Sequence, residues 1–295
     1  MVFAGRERSP GDTACGPSRA RPLCSEPQDQ SVAAPASATR KEPVIAPEPD
    51  APVPPKIAAV IAAHPDDADF GAGGTAALWT QQGWEFHYIV VTNGAKGSDD
   101  PKMTRDRLIA AREREQRACA AVLGVSSCTF LGGEDGELDY SRAMLGEIVR
   151  EIRRLKPLAV FTHSDQMIHR RPGAPVRDDE DRFVGFVNHR DHRNTGTMAV
   201  DAVYPTARDH MNFPEHIDEE GLETHKVGQL FIWGHPDANF KVDIGDSVER
   251  KLAALMEHET QFGSRGDDFA AGMRERFRDA DGHFYERFLR VDLPI

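Results

Sequence analysis

Two short stretches of the chain carry side chains that can bind a metal ion. The first, His64-Pro65-Asp66-Asp67, directly follows an apolar run and offers an imidazole and carboxylates, which are good zinc ligands. Asp66, Asp67 and Asp69 would repel one another unless a cation offset their charges. Taken alone the pattern is weak, because an aspartate that caps a helix would explain it about as well.

The second stretch, NHRDHRNTG, lies more than a hundred residues further along the chain. His189 and His192 are three positions apart at the start of a predicted helix, so their side chains lie on one face of it. A catalytic zinc site needs three protein ligands and one open position. His64, Asp67 and one histidine of this pair satisfy that count. The two clusters together favour a metal site over a solvated helix start.

The same region also resembles a dinucleotide-binding loop, because residues 71–76 match the pattern G-x-G-x-x-A. That loop needs its first glycine at the turn between strand and helix, and an acidic residue at the end of the second strand. Here residues 64–70 separate the strand from Gly71, and no carboxylate follows the second strand before Asp99. We therefore predict that the glycines let a helix pack close to a sheet.

The chain from residue 56 onward alternates between apolar runs and helical patterns. Strands are predicted at 57–63, 84–94, 126–133 and 158–163, and helices at 70–82, 103–124 and 141–156. Further extended segments follow at 228–234 and 239–244, with a helix over 247–258. Such alternation predicts an α/β fold, a Rossmann-like three-layer sandwich with a mainly parallel sheet and right-handed crossovers.

Three segments differ from this pattern. Residues 1–55 are rich in proline and show no apolar periodicity, which predicts a disordered leader. Residues 164–188 are polar and lie where a loop would reach the ligand-binding edge of the sheet, so we predict a rim or lid. The last residues, 266–295, are polar and are predicted to form a peripheral helical segment.

The composition limits the possible partners and location. The formal net charge is −12, and the acidic excess lies after the leader, which argues against a nucleic-acid partner. The apolar run 57–63 is too short to span a bilayer, and no secretory signal is visible, so we expect no membrane association and a cytoplasmic location. Four cysteines in a chain of 295 residues do not form a disulfide framework.

The two metal-binding stretches together resemble the PIG-L/LmbE family of zinc-dependent N-acetyl-sugar deacetylases. The resemblance extends from about residue 56 to 262 and includes Arg112–Val125 and Phe130–Leu138. It implies a deacetylase domain over 56–265 with an LmbE-like fold. The chain departs from the family in its leader, in the insert before His189, and at Arg190, where the family often has proline.

The resemblance implies a role for each residue of the two clusters. The ligands of Zn²⁺ would be His64, Asp67 and His192. Asp66 would be the general base that takes a proton from water. His189, held by Asp191 and protonated, would stabilise the oxyanion. His189 or Asp66 would then protonate the leaving amine, and the products would be acetate and a free amino sugar.

The resemblance also implies residues that touch the substrate, which would be a small N-acetyl sugar or sugar conjugate. Arg112 and Asp135 align with family positions that contact the sugar. The family often forms oligomers, so the resemblance is compatible with a homo-oligomer, but the sequence does not give the oligomeric state. The sequence leaves open whether two further histidines join the site. They are His163, at the end of a strand, and His235, in a second His-Pro-Asp sequence.

Two alternative functions are compatible with these motifs. One is an amidase that cleaves a larger thiol–sugar or glycopeptide conjugate, for which the insert at 164–188 would set the reach over the pocket. The other is a sugar- or nucleotide-binding module without catalysis. Asp66 beside three intact ligands argues against pure binding, because a binding module needs no base.

Overall fold

A computed structural model of the protein describes residues 56–169, 180 and 185–295. The predicted leader, 1–55, lies outside the described residues. Most of the predicted rim or lid does so as well, because only residues 164–169, 180 and 185–188 of it are described.

The described residues form strands and helices that alternate through the first two thirds of the fold. The strands are β1 (Ile57–Ala62), β2 (Glu85–Thr92), β3 (Ser127–Gly133), β4 (Ala159–His163), β5 (Ile168–His169), β6 (Phe186–Val187), β7 (Gln229–Trp233), β8 (Phe240–Asp243) and β9 (Tyr285–Asp292). The helices are α1 (Asp67–Thr80), α2 (Arg105–Leu123), α3 (Arg142–Leu155), α4 (Arg190–Val203), α5 (Pro214–Asp218), α6 (Val248–Met256), α7 (Glu259–Phe262) and α8 (Gly266–Phe277).

The sheet confirms the predicted mainly parallel arrangement. Its seven strands have the order β3-β2-β1-β4-β7-β9-β8, and β5 pairs with β6 in a separate hairpin. The contacts between β3, β2, β1, β4 and β7 are all parallel. Because β1 lies between β2 and β4, its carboxyl end opens at the centre of one edge of the sheet, where α/β folds bind ligands.

Successive residues of β1 face the two opposite layers of the fold. Ala58, Val60 and Ala62 belong to a buried cluster with residues of α1, α2 and α6. Ala59 and Ile61 belong to a second buried cluster with residues of α3 and α4. Because side chains alternate along a strand, a strand covered on both faces is apolar throughout. The predicted three-layer sandwich is thereby confirmed.

The glycines of α1 allow the helix to lie close to the sheet. A Cβ atom at Gly71 would lie 2.5 Å from the ring of Trp233, and one at Gly74 would lie 2.8 Å from Ile244. Both positions therefore exclude a side chain, as the sequence predicted. The helix begins at Asp67, three residues earlier than the pattern indicated, so Asp67 and Asp69 lie in its first turn.

The C-terminal segment differs from the prediction of a peripheral helical segment over 266–295. It contains α8, but β9 inserts between β7 and β8 as an antiparallel strand of the main sheet. Glu286 of β9 is 4% exposed and accepts hydrogen bonds from the backbone of Gly74 and Thr75 in α1 and from Lys251 in α6. Glu286 makes this strand look polar in sequence. It can nevertheless be buried, because Lys251 is buried beside it.

Candidate metal centre

The two clusters meet at the carboxyl edge of the sheet. His64 follows β1 and precedes α1, whereas His189 is the residue before α4. Helix α4 contacts both β4 and β1, and the ring centroids of His64 and His189 lie 4.9 Å apart. The side chain of Asp66, which precedes α1, makes no capping hydrogen bond. A role in capping the helix therefore does not explain the presence of Asp66.

Asp67 links the two histidines that were predicted as ligands. Its Oδ2 atom lies 3.0 Å from Nδ1 of His64, and its Oδ1 atom lies 3.2 Å from Nε2 of His192. One ring nitrogen each of His64, His189 and His192 also lie within 4.8 Å of one another. The structure thus brings His64, Asp67 and His192 together from two distant parts of the sequence.

The donor types of this set, two imidazoles and a carboxylate, suit a zinc ion. Ligand atoms bound to a tetrahedral zinc lie roughly 3.3 Å apart, which follows from bonds of about 2.0–2.1 Å. Each oxygen of Asp67 lies at about that distance from one histidine nitrogen. The groups whose ligand atoms all lie within 4.8 Å of one another divide these residues into two sets, His64 with His189 and His192, and Asp67 with His163 and His192. Burial alone would raise the pKa of Asp67, but the neighbouring His192 and His163 hold it well below its ordinary value. Asp67 is therefore an ionised carboxylate between two imidazoles.

Asp191 and Asp135 hold the far side of the His64 ring. The Nε2 atom of His64 lies 3.1 Å from Oδ2 of Asp191 and 3.2 Å from Oδ1 of Asp135. Carboxylates in this position take the Nε2–H of a histidine ligand and leave Nδ1 free for a metal. Here Nδ1 is the atom beside Asp67. The contact of Asp135 with a sugar stays a prediction. The structure shows that Asp135 also contacts His64.

The predicted pairing of Asp191 with His189 is wrong. The carboxylate of Asp191 accepts hydrogen bonds from the backbone N–H of Gly136, at 2.7 Å, and of Leu138, and its third neighbour is His64. Only the backbone N–H of Asp191 reaches His189, donating to Nδ1 at 3.1 Å. The physical reason is that His189 caps α4, so its side chain turns back onto the helix backbone.

This capping bond also determines the charge of His189. Since Nδ1 accepts the Asp191 N–H, the proton of the neutral ring sits on Nε2. Burial lowers the pKa of His189, and the nearby His64 and His192 lower it further. The structure therefore favours a neutral His189, in place of the protonated form expected from the sequence.

Asp66 lies beside the ligands and is held by Arg112 of α2. Arg112 is 4% exposed, and its Nη2 donates to Oδ2 of Asp66 at 3.2 Å and to the carbonyl of Pro65 at 2.6 Å. Burial raises the pKa of Asp66 to about 6, with Arg112 opposing the rise and Asp67 adding to it. A carboxyl group with such a pKa can exchange protons near neutral pH.

The sequence of this chain is similar to those of known proteins. Residues 59–203 match the PIG-L family, described as GlcNAc-PI de-N-acetylase. A diacetylchitobiose deacetylase from Thermococcus kodakarensis is 31% identical over 199 residues, which cover 68% of this chain and 67% of that protein. The chain belongs to the PIG-L family.

Two further similarities support membership of the PIG-L family. A 1D-myo-inositol 2-acetamido-2-deoxy-alpha-D-glucopyranoside deacetylase from Actinosynnema mirum is 36% identical over 244 residues, covering 70% of this chain and 81% of that protein. The crystal structure of the N,N'-diacetylchitobiose deacetylase from Pyrococcus horikoshii superposes with a TM-score of 0.67 and 27% identity, covering 80% of this chain and 84% of that one. None of the helices in the described part of the chain has the length and apolar character that a membrane span requires.

The candidate metal site opens into a cavity of about 360 Å³. It is lined by His64, Asp66, Asp67, Lys96, Gly97, Arg112, Asp135, Gly136, His189 and His192. Most of the residues predicted for the site therefore face one common space. Lys96 and Gly97 were not predicted, because they belong to the loop after β2, which carries no recognisable motif.

His163, whose role the sequence left open, lies beside the candidate metal site. Its Nε2 accepts the backbone N–H of Ala63 at 3.1 Å, so that lone pair is not available to a metal ion. The same atom lies 3.5 Å from Asp67, and the ring stacks on His192 with centroids 4.3 Å apart. His163 therefore contacts two of the predicted ligands, Asp67 and His192. His235, by contrast, is not among the residues that line the described cavity.

Proposed function

We propose that this protein is a zinc-dependent hydrolase that removes the acetyl group from an N-acetylglucosamine-type sugar or sugar conjugate. The zinc ligands would be His64, Asp67 and His192. The observation that carries the proposal is the position of Asp66, which lines the same cavity as these ligands but takes no part in the contacts that join them. A carboxylate beside a metal site and free of it is what a hydrolase needs and a binding module does not.

Zinc in such a site would lower the pKa of water and polarise the acetamide carbonyl. Asp66 takes the proton of the attacking water, since its raised pKa makes it a base near neutral pH. The hydrogen bond from Arg112 holds the Asp66 carboxylate in one orientation during this transfer.

His189 stabilises the negative charge that develops on the oxygen of the former carbonyl. Its Nδ1 is occupied by a backbone N–H, so its Nε2–H is free to donate a hydrogen bond to the developing oxyanion. Asp66 then returns its proton to the nitrogen as the C–N bond breaks. The products are acetate and a free amine, which balances the hydrolysis of one amide bond by one water molecule.

The substrate class rests on the relatives and on the cavity. The relatives named above act on acetamido sugars, and a cavity of about 360 Å³ has the size of a site for a small molecule. Lys96, Asp135 and Arg112 at its wall carry the polar groups that bind sugar hydroxyls. A cytoplasmic location and the absence of a nucleic-acid partner stay predictions from the sequence, and a homo-oligomer stays compatible with the resemblance.

Release of acetate and of free amine from N-acetylglucosamine, diacetylchitobiose and N-acetylglucosaminyl conjugates tests the proposal. We expect turnover of at least one of these compounds, loss of turnover with a chelator, and recovery with zinc. Asp66→Asn should lower kcat by about 100-fold or more while zinc still binds in a 1:1 ratio. Asp201→Asn, a change on the outer side of α4, serves as the control. Turnover that persists in Asp66→Asn would overturn the assignment of the base.

A further inference from the structure

Asp66 has a backbone conformation that side-chain-bearing residues rarely adopt. Its φ angle is 100° and its ψ angle is −31°, in a region that favours glycine. Residues in such conformations persist only where the surrounding structure holds them, and they are common at functional sites. The side chain of Asp66 is fixed by Arg112, but that contact does not hold the backbone N–H of Asp66. The peptide unit before Asp66 is held at the carbonyl of Pro65 by Arg112 and at the Asp66 N–H by a second group, which therefore helps to fix where the carboxylate lies.

Gln116 of α2 holds the backbone of Asp66. Its Oε1 accepts the Asp66 N–H at 2.7 Å, while its Nε2 donates to Oδ2 of Asp69 at 2.8 Å. A carboxylate can only accept, so Asp69 forces the NH₂ end of the amide toward itself and leaves Oε1 for Asp66. Gln116 lies four residues after Arg112, so successive turns of α2 hold the backbone and the side chain of Asp66.

Asp69 is in turn held by His258, which follows α6. The Nε2 atom of His258 lies 2.8 Å from Oδ2 of Asp69, and both side chains are 0% exposed. Gln116 is also 0% exposed, so water does not replace any bond of the chain His258–Asp69–Gln116. Oδ2 of Asp69 accepts from both His258 and Gln116, so loss of His258 would leave the buried carboxylate with one of these two donors. That loss is costly for a buried charge, and the carboxylate would turn toward other donors within reach.

We infer that His258 is a positioning residue for Asp66 and acts through Asp69 and Gln116. His258 lies outside the segment 59–203 that matches the PIG-L family. The C-terminal part of the chain would therefore contribute to the geometry of the base without contacting the substrate. This inference rests on the proposed function, because it assigns His258 to the base of that reaction.

The test replaces His258 by leucine, which removes the donor, and by glutamine, whose Nε2–H can take the place of the imidazole donor. We expect His258→Leu to lower kcat about 10- to 100-fold, since a small displacement of a catalytic group has an effect of this size. KM should change by less than about threefold, and zinc content should stay the same. His258→Gln should recover most of the lost kcat. If His258 only filled space in the fold, the hydrogen-bond donor of glutamine would not be expected to restore kcat.

A second variant keeps the test decisive if His258→Leu does not fold. Gln116→Met keeps the size of the side chain and removes both of its hydrogen bonds, and it should reproduce the loss in kcat at unchanged zinc content. A crystal structure of either variant in its zinc-free form should show Asp66 with a changed φ angle. The matched control is Thr260→Val, which removes the hydrogen bond from α7 to Glu115 of α2 without touching the chain to Asp66. Its kcat should stay within about twofold of the wild type.

The outcomes separate this inference from the proposed function. If the wild-type protein releases no acetate from any acetamido sugar, the proposed function fails. If the wild type is active and the folded variants keep a kcat within threefold, the inference is wrong and the proposed function stands. Loss of zinc from His258→Leu would also overturn the inference, because His258 would then act on the metal ligands and not on Asp66.

Discussion

The Nε2 atom of His64 lies 3.1 Å from an oxygen of Asp191, a residue 127 positions further along the chain. This contact joins the turn after β1 to the first turn of α4, and so it joins the two halves of the proposed metal site. Asp191 is itself fixed by the backbone N–H groups of Gly136 and Leu138, and its side chain is 0% exposed. A buried carboxylate with three hydrogen-bond partners therefore sets the orientation of His64, a predicted metal ligand.

We predict that Asp191→Asn weakens zinc binding about 10- to 100-fold, because partners of this kind orient a ligand and raise its basicity. Competition with a chelator of known affinity measures the change. Activity of the variant should recover in excess zinc. Asp201→Asn is the control, since Asp201 lies on the same helix and accepts only a surface hydrogen bond from Tyr140. An affinity equal to that of the wild type would show that Asp191 does not support the site.

The pH dependence of kcat tests the role of Asp66. The base must be ionised, so kcat should rise with pH through the pKa of Asp66, which burial raises to about 6 in the metal-free protein. The positive charge of a bound metal ion lowers this pKa, so the acid limb of the wild type should lie at or below pH 6.

Arg112→Gln should move this acid limb to higher pH by about one unit. Arg112 lowers the pKa of Asp66, so its removal raises the pKa, and more alkaline conditions are then needed to ionise the base. Arg107→Gln is a matched control, because Arg107 is an exposed residue of the same helix. A limb that does not move in Arg112→Gln would mean that another group limits kcat.

The buried pair of Lys251 and Glu286 tests the position of the C-terminal strand. The side chains are 0% and 3% exposed, and Lys251 also donates to the carbonyl of Phe70 in α1. Lys251→Met would leave Glu286 as a buried charge without its cation, and we predict a loss of about 3–5 kcal/mol in the free energy of unfolding. Urea denaturation at a fixed zinc concentration measures it. Lys241→Met, an exposed change on β8, should cost less than about 1 kcal/mol. Equal losses in both variants would contradict the structure of this region.

The sequence predicted those parts of the fold that depend on local patterns. The strands β1 to β4 and helices α1 to α3 follow from the alternation of apolar runs and amphipathic segments. The strand β9 did not follow, because Glu286 and Arg290 make Tyr285–Asp292 look like a surface segment. Its burial depends on Lys251, which is 35 residues away and carries no local signal.

The candidate site shows the same division. The residue types and spacing around His64 and His192 predicted which residues meet, because both motifs follow elements whose ends share one edge of the sheet. They did not predict which atoms touch. The proximity of Asp191 and His189 in sequence suggested a pair, but the helix start directs Asp191 toward Gly136 and His64. Gln116 was missed because a glutamine inside a charged helix gives no sign of burial, although its spacing from Arg112 could have indicated it.

The central claim, one zinc ion bound by three side chains from two distant turns, is tested most directly by anomalous diffraction at the zinc edge from crystals of the zinc-loaded protein. We predict a single strong peak within about 2.0–2.2 Å of Nδ1 of His64, the carboxylate of Asp67 and Nε2 of His192, with no protein ligand from Asp66. A peak bound by Asp66 or His163, or no peak among these three residues, would contradict the account.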